Sequence, residues 1–219
     1  MKQLRVAENH HQVLPHWAEV RRELSEHQPF MVLTLDHHTD VLKAFRGSGA
    51  VEPGVWRDPS ATAAAVARLH HDEQLDWAVS SGLASRAVAV THVRPAELPA
   101  SPLIEVRTPP DFPDEFIMLN QPERFRLQAD AVFERAFLAP LLQGIDFTKP
   151  FLLDIDCDYV MTGQALHPVD SSLMRELASR ALAVTAACER DYVRLLRLPG
   201  ERIDSDAVLA GLRRLCGLD

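Results

Sequence analysis

Two apolar runs that each end in a burst of acid constrain this chain most: Phe30-Met31-Val32-Leu33-Thr34-Leu35 leads into Asp36-His37-His38-Thr39-Asp40, and Phe151-Leu152-Leu153 leads into Asp154-Ile155-Asp156-Cys157-Asp158. Runs of this kind read as strands buried on both faces. Parallel strands deliver the residues after them to the sheet's carboxyl edge, where α/β proteins bind ligands. Five carboxylates and at least one imidazole would then meet in one crevice. Like charges at close range cannot all stay ionised in a dry site. Cations between them remove the conflict, so a pair of divalent metal ions is the expected occupant.

The rest of the chain alternates strand and helix. Further strands are predicted over 4–7, 86–92, 103–106, 116–119 and 183–188. Val13, Leu14, Trp17, Val20 and Leu24 recur at helical spacing and predict a first helix over 12–26. Ser60 suits the cap of an Ala-rich helix running to 69, and Asp72 the cap of a helix over 73–80 ended by Gly82. The breakers Gly47, Gly49, Pro53, Gly54 and Pro59 mark a loop that can overhang the site. A long amphipathic helix over 122–143, irregular at Pro140, carries an apolar stripe that fits the core or a dimer face. Helices over 173–181 and 206–215 complete the pattern, with the proline-rich stretch 94–113 the least regular part. Such alternation predicts one domain over 1–219, a three-layer α/β/α sandwich with a mainly parallel sheet.

Composition narrows the partners. With 31 acidic and 23 basic residues the net charge is −8, which argues against nucleic acid, since phosphate binding needs a basic face. A small cationic substrate suits the balance better. The three cysteines, Cys157, Cys188 and Cys216, form no C-x-x-C pair, so neither a disulfide framework nor a thiolate zinc site is supported and a reduced, cytoplasmic setting is expected. No apolar stretch approaches the roughly 20 residues of a membrane helix, and Met1-Lys2-Gln3-Leu4-Arg5 does not open a signal peptide.

In Asp36-x-His38-x-Asp40 the alternation of a just-ended strand aims all three side chains one way, and hard carboxylate oxygens with one imidazole suit manganese or a similar divalent ion. Read alone, the motif is also met by Asp36 capping a helix beside histidines on a solvated loop. Asp154-x-Asp156 weighs against that account, because two acids alternating along a buried strand need strong compensation. His70-His71-Asp72-Glu73 offers His71 as a proton shuttle and Glu73 as an anchor for a cationic substrate head; a helix-capping Asp72 with two exposed histidines explains the same run without catalysis. Asp158 is either a substrate-facing acid or a cap after the strand. His11 and His37 adjoin ligand positions and are expected to face away; His16, His27, His92 and His167 show no ligand spacing.

The paired motifs resemble the arginase, or ureohydrolase, superfamily, whose two manganese ions are held by a histidine, then D-x-H-x-D, then D-x-D in that chain order. His10 in Glu8-Asn9-His10-His11-Gln12 supplies the early histidine. More narrowly, E-N-H-H-Q-V-L-P-H-W, L-D-H-H-T-D, H-H-D-E-Q-L-D-W-A and L-D-I-D-C-D-Y together resemble the small uncharacterised-protein family numbered 0489, an arginase-like group that includes peptide arginases of ribosomal-peptide biosynthesis. The resemblance spans about residues 8–193 and implies a compact variant of the arginase/deacetylase-like fold. It implies that His10, Asp36, Asp40 and Asp154 hold one ion and His38, Asp36, Asp154 and Asp156 the other, with Asp36 and Asp154 bridging. Glu189, at the end of the last strand, stands where arginases place a glutamate that grips the cationic head; a surface pair with Arg190 or Arg194 is the other reading.

Departures carry information too. Glu8-Asn9-His10 replaces the arginase Gly-Gly-Asp-His signature, and the Asp-Pro after the D-x-D acids is absent, so the loops that grip a free amino acid's α-carboxylate are not recognisable. The resemblance therefore implies a binuclear manganese hydrolase converting peptidyl arginine to ornithine and urea, with an arginine-containing peptide, such as a precursor peptide, as its substrate. Two alternatives stay open: an amidohydrolase of the deacetylase kind, which typically uses one zinc and fewer acids, and a metal-binding or partner-binding scaffold without turnover. A homo-oligomer is compatible with either.

Overall fold

The computed structural model describes residues 2–24, 28–92, 98–109 and 122–218. Six strands, β1 Leu4–Ala7, β2 Phe30–Asp36, β3 Ala84–Thr91, β4 Ile104–Arg107, β5 Phe151–Asp156 and β6 Val184–Ala187, pair in parallel in the order β1-β6-β5-β2-β3-β4. The described helices are α1 Leu14–Glu23, α2 Pro59–Val66, α3 Gln74–Ser80, α4 Pro122–Asp130, α5 Arg135–Leu141, α6 Ser172–Arg180, α7 Arg190–Leu196 and α8 Ser205–Cys216.

Side chains alternate across a strand, and here both faces are covered. Met31, Leu33 and Leu35 pack with Leu138, Met174, Leu177 and Leu212 of α5, α6 and α8. Phe30 and Val32 pack with Leu14, Trp17, Leu75 and Trp77 of α1 and α3. Because each face needs apolar side chains, β2 reads as a continuous run, and all seven of its residues are buried. Each fully buried Leu or Phe contributes roughly 1.5–3 kcal/mol by leaving water. Helices on both faces of one sheet give the three-layer α/β/α arrangement.

Strand order decides where a site can form. From β2 the chain moves outward through β3 and β4 on one side and through β5 and β6 on the other, so the reversal falls between β2 and β5. Beyond the carboxyl ends at such a reversal the crossovers part and leave a crevice. Asp36 ends one of these two strands and Asp156 the other.

Several boundaries differ from the sequence expectation for identifiable reasons. The expected helix over 122–143 is two helices, because buried Val132 and Phe133 and the extended Glu134 turn the chain between them. The Glu134 carboxylate accepts the backbone N–H groups of Val169 and Asp170, which holds the break in place. The cap of α2 is Asp58, whose Oδ1 accepts from Ser60 N at 2.8 Å, rather than Ser60 itself. At α3 the cap position is Glu73, not Asp72. Residues 54–57 do not overhang the carboxyl edge: Gly54 N–H donates to Ser81 O just before β3, and Arg22 at the far end of α1 donates to the Trp56 carbonyl. Helix α7, mostly polar and seven residues long, had no periodic signal to announce it. The expected strand over 116–119, part of 94–113, the end of the first helix and His27 lie outside the described residues. Among the described residues no helix is long and apolar enough to cross a membrane.

Candidate metal centre

Parallel register builds the floor of the site. Thr34 of β2, Asp154 of β5 and Thr185 of β6 are register partners across three neighbouring strands. The Thr185 hydroxyl donates to Asp154 Oδ1 and the Thr34 hydroxyl to Oδ2 at 3.0 Å. Trp17 Nε1 of α1 in turn donates to Thr185 Oγ1 at 3.0 Å. The Asp154 carboxylate is thus clamped from both sides at the bottom of the crevice.

Above it the His10 ring lies among the acids. Its Nε2 is 2.6 Å from Asp154 Oδ2, and its Nδ1 is 2.8 Å from Asp40, 3.2 Å from Asp156 and 3.3 Å from Asp36. His10 is delivered by the turn His10–Val13 after β1, and its backbone N–H donates to Glu189 Oε1 at 2.7 Å. Asp40 sits at φ 46°, a left-handed conformation that turns its carboxylate back toward the strand ends, where Gln74 Nε2 donates to it at 2.5 Å. His38 is nearer the rim, its side chain 38% exposed, with Nδ1 3.0 Å from Asp158 Oδ2. All six residues that the resemblance makes ligands therefore surround one crevice. Among the described residues the donor atoms form two groups, His10–Asp36–Asp156 and Asp36–His38–Asp158, each with its atoms within 4.8 Å of one another, and Asp36 belongs to both.

Crowding the acids away from water marks their electrostatics. Burial, and then the charge of Asp40, pushes the Asp36 carboxyl well above the usual carboxylate range; burial and Asp158 do the same to Asp156. Burial would pull His10 down, but Asp154 and Asp156 outweigh it and hold the imidazole well above its ordinary value. At Asp40 burial pushes up, yet the hydrogen bonds from His10 and Gln74 outweigh it and the carboxyl lies low. Buried Asp36 Oδ2 faces the His10 ring at 3.3 Å without a well-formed hydrogen bond. A buried carboxylate oxygen so loosely met is costly unless a cation reaches it, so the donor set fits divalent ions with oxygen and imidazole preference.

Protons and cations must then compete. Burial lowers His38, but the hydrogen bond and charge of Asp158 outweigh it and raise the imidazole to about 9. Its contribution to the stability of the cation-free fold is complete below its unfolded value of 6.5 and is lost as pH rises through about 9. Cation binding needs the neutral ring, so affinity for Mn²⁺ is expected to climb between about pH 6 and about pH 9, by up to about tenfold per unit for each proton displaced. Calorimetry at pH 7 in buffers of different ionisation enthalpy should detect the released protons. Uptake without proton release would contradict this account.

The residues expected to meet substrate are placed unequally. Glu189, at φ 39° where β6 gives way to α7, borders a cavity of about 330 Å³ together with Glu8, His11, His71 and Tyr192. Burial pushes its carboxyl upward, against the His10 N–H that it accepts. His71 Nε2 lies 3.4 Å from the Tyr192 hydroxyl, and the Tyr192 ring stands edge-on to His38. Glu73 does something else: fully buried, it accepts the backbone N–H groups of Phe45, Arg46 and His70, pinning the left-handed turn at Phe45 and Arg46. Asp158 is buried behind His38 and does not border the described cavity. Sequence reading missed Gln74, Tyr192 and the Trp17–Thr185–Asp154 relay. Only Thr34 left a trace, as a hydroxyl two residues before Asp36 in an otherwise apolar strand.

No protein-family model matches this chain, and no curated protein matches it. Among solved structures, the proclavaminate amidino hydrolase from Streptomyces clavuligerus is similar over 97% of this chain and 62% of that protein, with a TM-score of 0.49 and 17% sequence identity. The chain thus spans less than two thirds of that protein's length.

Proposed function

We propose that this chain is a binuclear metal-dependent hydrolase of the arginase type that converts peptidyl arginine to ornithine and releases urea. The observation that carries the reading is the sharing of Asp36 by two donor groups at the β2–β5 reversal. Two manganese ions are the proposed occupants, as the motif resemblance implies. Bound there, the cations supply a nucleophile from water at neutral pH and attack at the guanidinium carbon becomes feasible.

The chain's own side chains do the rest. Glu189, held at the cavity wall, orients the cationic head of the substrate, and the acids behind it make the cavity favour a positive charge. His71, beside the Tyr192 hydroxyl, hands a proton to the nitrogen that leaves as the ornithine amine.

One feature favours an arginine within a peptide over the free amino acid. Arg190 is the one lysine or arginine among the described cavity residues, and it is already held by Glu8 at 3.1 Å and Asp206 at 3.2 Å. A free α-carboxylate would lack an uncommitted guanidinium or ammonium there. A peptide chain has no such carboxylate to satisfy.

The test is incubation of Mn²⁺-loaded protein with arginine-containing peptides, scored by a mass loss of about 42 Da per converted side chain, since hydrolysis adds water and removes urea. Peptide conversion with no turnover of free arginine is the expected result. No mass change across several peptide contexts, including a precursor peptide encoded beside the chain's own reading frame, would overturn it, and one zinc per chain with release of an acyl group would point to deacylation instead.

A further inference from the structure

We propose that Asp158 is a ligand of the second cation, completing a position with Asp36 and His38; this rests on the metal-centre reading above. Three observations carry it. The side chain is 1% exposed, and its Oδ2 makes no hydrogen bond apart from the approach of the His38 ring, much as Asp36 Oδ2 meets only a loose approach of the His10 ring. That oxygen lies 3.0 Å from His38 Nδ1, and Asp36 Oδ1 lies 3.9 Å from the same nitrogen. Cations that bind oxygen and nitrogen at about 2.1 Å place neighbouring ligand atoms about 3 Å apart, so this spacing suits adjacent corners of one coordination shell.

Local structure explains how Asp158 gets there. The chain leaves β5 in the tight turn Cys157–Tyr159, where Asp156 Oδ1 accepts the backbone N–H of Asp158 at 3.1 Å. This turns the Asp158 side chain inward, and its Oδ1 accepts from His37 N at 3.3 Å, leaving Oδ2 toward His38. Asp154, which the resemblance assigns to both ions, is two strand positions deeper than Asp156 and has both oxygens engaged by Thr34, Thr185 and His10. The second position therefore lies outward of the first. With His38 partly exposed, the ion held there exchanges more readily than the one beside His10.

The experiment is a titration of the metal-free full-length protein with Mn²⁺, counting bound ions by mass spectrometry of the metal and repeating with Co²⁺ to read its visible absorption. The wild-type chain should bind two ions in unequal steps. Asp158→Ala should retain the tighter ion within about threefold and weaken the other by at least about 100-fold, more than the loss of an outer hydrogen-bond partner usually costs. Asp158→Asn keeps the oxygen that accepts from His37, so it should fold normally, and should show a smaller loss of the same ion with an altered Co²⁺ spectrum. His38→Gln should lose that ion too, whereas the exposed Glu176→Gln should lose none. A second ion bound by Asp158→Ala as tightly as by wild type ends the proposal while leaving the metal centre intact. A wild-type chain that binds no divalent ion removes the metal-centre reading itself.

Discussion

Asp36→Asn is expected to abolish the binding of both cations, because Asp36 alone belongs to both donor groups. Its Oδ1 already accepts the His38 backbone N–H at 2.8 Å, which fixes the carboxylate against the rim, and its buried Oδ2 faces the His10 ring at 3.3 Å. Asparagine keeps the size and the first acceptor but replaces a charged ligand oxygen with an amide. Loss of a partner outside the ligand set commonly costs 10–100-fold in metal affinity, so loss of a shared ligand should exceed about 100-fold at each site and remove turnover with it. Stability should move the other way. Asp36 is held well above the usual carboxylate range by burial and by Asp40, so a neutral side chain relieves repulsion in the cation-free protein. The metal-free variant should melt at or above the metal-free wild type, and added Mn²⁺ should raise the melting temperature of wild type alone, since an ion that binds only the folded state stabilises it. A variant that still gains stability from Mn²⁺ would show that Asp36 is not the shared ligand.

Trp17→Ala should produce the largest loss of stability. The indole is fully buried between α1 and the sheet, packed among Leu14, Phe30 and Val32, and truncations of this kind cost about 3–5 kcal/mol through lost transfer energy and the cavity left behind. Urea denaturation of the metal-free protein measures it. The instructive variant is Trp17→Phe, which keeps most of the packing but removes the Nε1 donor to Thr185. It should cost about 1 kcal/mol for the hydrogen bond and, by loosening the Thr185 hydroxyl that donates to Asp154, weaken Mn²⁺ binding about tenfold. Thr185→Val should reproduce the loss of affinity. Unchanged Mn²⁺ affinity in both variants would mean that Asp154 is oriented by the strand alone, and that the relay from α1 serves only the core.

The relay also shows why part of the site could be read in the sequence and part could not. Asp36, Asp154 and Asp156 stand out because acids at the end of an apolar strand violate the local pattern. Thr185 violates nothing: it is one small β-branched residue in a short strand, and its importance arises from pairing with Asp154 in a register set by two strands distant in the chain. Gln74 and Tyr192 are equally silent, since each reaches the site from a helix whose placement depends on packing. Glu73 misled for the same reason. An acid beside two histidines suggests chemistry, yet its carboxylate serves three backbone N–H groups around a turn that no local pattern foretold.

What the chain determined by itself is the chemistry available and the layer order. Two-residue alternation, apolar runs and the positions of acids and histidines are local properties, carried by consecutive residues and independent of what packs against them. Tertiary structure decided which donors share an ion, which acids face water and which merely brace a turn. Those outcomes depend on strand order and register, which set side chains more than a hundred residues apart at hydrogen-bonding distance, as with Thr34 and Asp154. A one-residue slip of β5 against β2 would turn Asp154 and Asp156 to the opposite face and dissolve the site without changing a single residue.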